Sequence, residues 1–161
     1  MAPVAWKISF YRDLETGEKP CREWLDELAE DDPDKRLAAL AAIERVLAKQ
    51  GINVCEGEWG KNLGRGLYEF RIRHPATTIE AMFQPKEAPA RKAVGKPRIL
   101  LRIFFTTYGK HVILLCSGYD KGTNPGKGFQ SQQIKAARAM VAKAQAGLAA
   151  RLKSEAAAGK Q

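Results

Sequence analysis

Arginine on strand-like segments is the first feature of this sequence that could do chemistry. In the run Gly66-Leu67-Tyr68-Glu69-Phe70-Arg71-Ile72-Arg73, a two-residue alternation places Tyr68, Phe70 and Ile72 on one face and Glu69, Arg71 and Arg73 on the other. Arg102 interrupts the otherwise apolar run Ile99 to Phe105. A guanidinium stays charged and offers a planar fork of donors matched to phosphate oxygens, so such arginines suit a phosphodiester. Lys61 lies in the loop before the first of these strands and Lys121 in a loop after the last. His74 adds an imidazole, whose ordinary pKa lies nearest neutrality. Each residue also has a plainer reading. Arg71 and Arg73 could form a solvated face partnered by Glu69, Arg102 could pair with a buried carboxylate, His74 could simply end a strand, and Lys121 could be a surface lysine.

The charge balance favours a polyanionic partner. The chain of 161 residues holds 27 lysines and arginines against 18 acidic residues, a formal charge of +9 with a pI near 9.6. The acid is concentrated at one end: residues 1 to 34 carry 4 basic and 10 acidic side chains, and the remainder is strongly basic. Cations that neutralise phosphates release condensed counterions, which drives binding to nucleic acid. The bland alternative is that a basic pI only keeps the protein in solution.

Other chemistries find little support. Cys21, Cys55 and Cys116 are odd in number and widely spaced, which predicts reduced thiols rather than disulfides or a zinc site. His74 and His111 have no neighbouring carboxylate or thiol pair, so neither a metal nor another cofactor is expected. The glycine-rich stretch Gly118 to Gly128 does not fit GxxxxGK[ST], which argues against a phosphate-cradling P-loop. With no apolar run of membrane-spanning length and no leader-like start, the expectation is a cytoplasmic protein without a membrane partner.

The elements that would position these residues follow from periodicity. Trp6, Ile8 and Phe10 alternate with Lys7 and Ser9 in a first strand. Trp24, Leu25 and Leu28 predict a short helix over Cys21 to Glu30. Asp32-Pro33 opens a second helix, whose apolar stripe runs through Leu37, Leu40, Ile43, Val46 and Leu47 and stops at Gly51. A strand over Gly66 to Arg73, a further strand over Thr77 to Gln84, and a basic loop or insertion over 85–97 come next. Arg98 to Thr106 and Val112 to Cys116 form a hairpin, and Gln130 to Lys153 an alanine-rich helix. The sum is one α+β domain over 1–153, with an N-terminal strand and two helices on an antiparallel sheet, a C-terminal helix, and a fraying tail over 154–161.

In this order, Phe10-Tyr11, Glu23-Trp24-Leu25, Lys61-Asn62-Leu63, the run Gly66 to Ile72, Leu101-Arg102-Ile103-Phe104-Phe105 and Ile113-Leu114-Leu115 resemble the HigB branch of the RelE toxin superfamily, phage-derived members included. The resemblance spans roughly residues 4 to 145. It implies a RelE-like fold and the toxin of a type II toxin-antitoxin system. Such a toxin enters the ribosome and cuts mRNA without a metal, with the RNA 2′-hydroxyl as nucleophile. Its partners would be the ribosome, mRNA and a small antitoxin, with a helix-turn-helix protein as one form.

By position, the resemblance assigns Arg71 and Arg102 to the scissile phosphate and makes Lys121 the next candidate. Lys61, Arg73 and His74 are candidates for RNA binding. Relatives run from the last strand into Phe-Lys-Lys-Thr-Pro, whereas this chain has Tyr119-Asp120-Lys121-Gly122-Thr123-Asn124-Pro125. The general acid therefore stays open between Tyr119 and Asp120, with His74 as a further option. The same departure supports a competing reading, a noncatalytic nucleic-acid-binding or phage accessory protein on the same fold. A third, an antitoxin-like or structural interaction module, would use the apolar helices as a partner surface.

Overall fold

The structure is a computed structural model that describes residues 5–83 and 99–158. The predicted basic loop over 85–97 lies outside the described residues. Five strands form one mixed sheet in the order β1-β5-β4-β3-β2. They are β1 (Lys7–Phe10), β2 (Gly60–Gly64), β3 (Leu67–Ile72), β4 (Leu101–Tyr108) and β5 (Val112–Asp120). The helices are α1 (Pro20–Asp31), α2 (Pro33–Ala42), α3 (Ala48–Gln50), α4 (Ala76–Phe83) and α5 (Lys127–Ala158).

Strand alternation divides the sheet into two faces with different cores. Phe70, Ile72, Leu101, Ile103, Phe105, Ile113 and Leu115 point toward α1 and α2 and join Leu25, Leu28, Ala38, Ala42, Val46 and Leu47. Leu67, Phe104, Cys116 and Tyr119 point the other way and meet Ala137 and Val141 of α5. Small side chains on α2, Ala38, Ala39 and Ala42, are fully buried, which lets that helix approach the sheet closely. Asp32 begins α2 as expected, its carboxylate accepting the Lys35 amide at 3.3 Å. The helix runs on through a π-helical turn, Ile43–Leu47, into α3. Gly51 ends it with φ +56°, where any Cβ would collide with the Trp6 indole.

Three sequence expectations are corrected. The sheet is not purely antiparallel: β1 pairs with β5 in parallel, Ile8 opposite Ile113, while every other pairing is antiparallel. Residues from Ala76 to Phe83 form α4 rather than a strand. Pro75 precedes the first turn and its carbonyl accepts the Ile79 amide at 3.0 Å, so β-branched Thr77, Thr78 and Ile79 are overruled by a helix that buries Ile79. Gly60–Gly64, read as loop, is β2, held by backbone pairing to β3 with Lys61 opposite Glu69. In addition, α5 begins at Lys127 and continues past Lys153 to Ala158. Among the described residues no helix is long and apolar enough to cross a membrane.

Candidate nucleic-acid interface

The sheet face that meets α5 collects the arginines. Arg71 on β3 stands directly opposite Arg102 on β4, and Arg102 stands opposite Tyr119 on β5. Cross-strand partners share a face, so the three side chains form one row. The neighbouring row is Lys61, Glu69 and Phe104. Arg73 follows two residues after Arg71 and is exposed, as is Lys61.

Glu69 organises this face. It is fully buried, and its Oε1 accepts Arg71 Nε at 2.7 Å while Arg102 Nε lies 3.8 Å from the same oxygen. Gln130, in the first turns of α5, donates to the second carboxylate oxygen at 3.4 Å. One buried anion among these cations offsets part of their charge and fixes the Arg71 guanidinium, which remains about a quarter exposed (24% for the side chain). Arg102 is different: its side chain is only 4% exposed and its Nη1 donates to the Leu101 carbonyl at 3.2 Å. Burial draws its pKa down and Glu69 pushes it back up, with Arg71 and Arg73 opposing.

Two polar atoms in the row have no hydrogen-bond partner. Among the described residues, four buried side-chain polar atoms lack one, and Arg102 Nε and Tyr119 Oη are two of them. Buried polar groups are normally satisfied, so these two atoms on cross-strand partners retain unused hydrogen-bonding capacity. The Tyr119 ring is held by Phe104, stacked at 5.9 Å, and by Phe129 of α5, tilted at 5.4 Å. Burial, then the Glu69 charge, raises its pKa, so at neutral pH the phenol stays protonated and has a proton to donate.

The remaining sequence candidates divide. Lys121 lies just past β5, at the start of a turn, its amide bonded to the Leu100 carbonyl at 2.8 Å. Asp120 faces the other way, toward α2, where Lys35 Nζ contacts its Oδ2 at 2.5 Å. Gly118 confirms this phase, since a Cβ there would run into Trp24 of α1. His74 is also set apart: its Nε2 lies 3.0 Å from Glu58 Oε1 and its ring packs on Trp59. Trp59 in turn stacks on Phe70, on the α2 side of the sheet. Sequence reasoning missed Glu69 as a buried organiser, and also Gln130, Phe129 and Lys35. Only Glu69 carried a usable signal, as the acidic member of the arginine face.

Elsewhere, the three cysteines are free, and burial pushes the Cys116 thiol up to about 12, which leaves it inert. On the opposite side of the sheet from the arginine row, the outer surface of α1 exposes Glu23, Asp26, Glu27, Glu30 and Asp31. Neither family models nor curated protein sequences match this chain significantly.

Proposed function

We propose that this chain is an endoribonuclease of the RelE/HigB kind, acting on mRNA in the ribosome and restrained by an antitoxin. The observation that carries the reading is the Arg71-Arg102-Tyr119 row with its two unpartnered buried polar atoms. Arg71 and Arg102 would hold the non-bridging oxygens of the scissile phosphate and stabilise the charge that grows there. The RNA 2′-oxygen attacks the adjacent phosphorus in line, its proton passing to solvent, and the 5′-oxygen leaves. Tyr119 gives that oxygen its proton and is reprotonated from water, so the products are a 2′,3′-cyclic phosphate and a 5′-hydroxyl. Glu69 is a positioning residue that keeps Arg71 and Arg102 aimed. Arg73, Lys61 and Lys121 supply flanking phosphate contacts. No step requires Asp120 or His74.

The test is induced expression in growing cells, with message ends mapped by primer extension, for wild type beside Arg71→Ala and Tyr119→Phe. Growth arrest with new cuts inside translated messages, lost in both folded variants, is the expected result. Arrest and cutting that persist in Tyr119→Phe would remove Tyr119 as the acid.

A second reading is favoured by one feature. Phe129 and Gln130 cover the row, and Arg102 and Tyr119 are each 3% exposed. A protein that binds RNA on this face without cutting it would tolerate such cover. Binding without new message ends would select it.

A further inference from the structure

We propose that the buried Lys35–Asp120 pair is a positioning device for Lys121, presenting its ammonium on the arginine face as a further cation for RNA phosphate. The inference rests on the RNA reading above. Asp120 points away from that face, Tyr119 before it lies on it, and Lys121 after it opens the turn that leaves the sheet, its amide still bonded to Leu100 just before β4.

Around Lys121 the backbone is held on both sides. Lys35 Nζ contacts Asp120 Oδ2 at 2.5 Å, with side chains only 15% and 10% exposed, and Asp32 adds a second carboxylate at 3.8 Å. The other Asp120 oxygen accepts the Gly122 amide at 2.8 Å. The Asp120 carbonyl accepts the Asn124 amide at 3.0 Å and the Thr123 hydroxyl at 3.2 Å. Lys121 itself continues the β4 ladder through Leu100. These bonds anchor a segment that contains Gly122, Gly126 and Gly128 and would otherwise sample many conformations. The anchor reaches across 85 positions of sequence to α2.

A buried ion pair is a poor source of net stability, because desolvation offsets most of the Coulomb attraction. Its effect is geometric: one chain conformation satisfies both charges and the Gly122 amide together. A merely structural pair would hold the fold without changing how many phosphates the protein neutralises. A positioning pair changes that number through Lys121.

The experiment measures the salt dependence of binding to a fluorescent single-stranded 2′-O-methyl RNA, which cannot be cut. Each lost phosphate contact lowers the slope of log K against log salt by about 0.7. Lys121→Ala is expected to lower it by about that amount. The double variant Lys35→Met/Asp120→Asn leaves no buried charge unpaired and is chosen because it should fold; it is expected to lower the slope comparably. Adding Lys121→Ala to that variant should lower it no further. An unchanged slope in the folded double variant, or additive losses in the triple, overturns the positioning role. An unchanged slope in Lys121→Ala overturns it also. Failure of the nuclease reading shows separately, as wild-type protein that binds this RNA but leaves ribosome-bound messages intact.

Discussion

Arg71 and Arg102 face each other across the β3–β4 ladder and share one carboxylate oxygen, Glu69 Oε1, at 2.7 and 3.8 Å. Two like charges are thereby held on adjacent strands, a placement that isolated strands would resist. On the proposed reading, a phosphate completes in the complex what the carboxylate stabilises in the free protein.

Glu69→Ala is expected to destabilise the fold by about 3 kcal/mol, because it leaves Arg102 buried without its compensating charge. Urea denaturation gives the number. A loss below about 1 kcal/mol would show that solvent reaches Arg102 and that Glu69 is not needed to hold it.

Tyr119→Phe should behave in the opposite way. The hydroxyl it removes has no partner, so stability is expected to stay level or rise, whereas RNA cleavage falls by about 10²-fold or more. A thermal midpoint lowered by many degrees would mean that the hydroxyl has a structural partner after all.

On the proposed mechanism, proton donation by Tyr119 also sets the alkaline side of the pH profile. Burial and Glu69 raise its pKa, so the falling limb of cleavage should lie above the ordinary tyrosine value of about 10 and vanish in the phenylalanine variant. A falling limb near pH 7 would point instead to an imidazole.

Stability should also decline in strong alkali. Lys35 has its pKa raised by the Asp120 hydrogen bond, so its contribution is complete below about 10.4, the unfolded lysine value, and is lost as pH climbs through the folded value. Tyr119 acts with the same sign, because the unfolded phenol ionises first. Thermal melts should show a level midpoint up to about pH 9 and a falling one above about pH 10, less steep in Lys35→Met/Asp120→Asn. A slope identical in that variant would assign the effect to other groups.

Gly118→Ala tests the phase of β5. The added methyl meets the Trp24 ring, so α1 must shift at a cost of about 1–3 kcal/mol. A neutral substitution, judged by the urea midpoint, would place Gly118 on the α5 side and misassign both Tyr119 and Asp120.

Periodicity carried the reading where side chains decide the structure. The alternation of Tyr68, Phe70 and Ile72 placed Arg71 correctly on the face opposite that core, and Asp32-Pro33 located the start of α2. Of the stripe predicted for that helix, however, Leu37 is 52% exposed, and Ala38, Ala39 and Ala42 are buried instead. It failed where backbone or distant partners decide. β2 has little side-chain pattern because its pairing with β3 is a backbone matter. The parallel β1–β5 contact joins segments far apart in sequence, and nothing in either strand encodes direction. Asp120 looked available for proton transfer because its partner, Lys35, lies 85 residues earlier. Glu69 looked solvated because Gln130 and α5, which bury it, come 61 residues later.

The acidic outer surface of α1 lies across the sheet from the arginine row, so the described part of the molecule is an electric dipole as well as a scaffold. Near a polyanion such a body feels a torque before it makes any contact, turning the arginines inward and the carboxylates outward. At low ionic strength this rotation acts over tens of ångströms, and at physiological salt over roughly 8 Å. Successful encounters are thereby enriched in molecules that arrive with the correct face forward, a gain in association rate that owes nothing to any bond made afterwards.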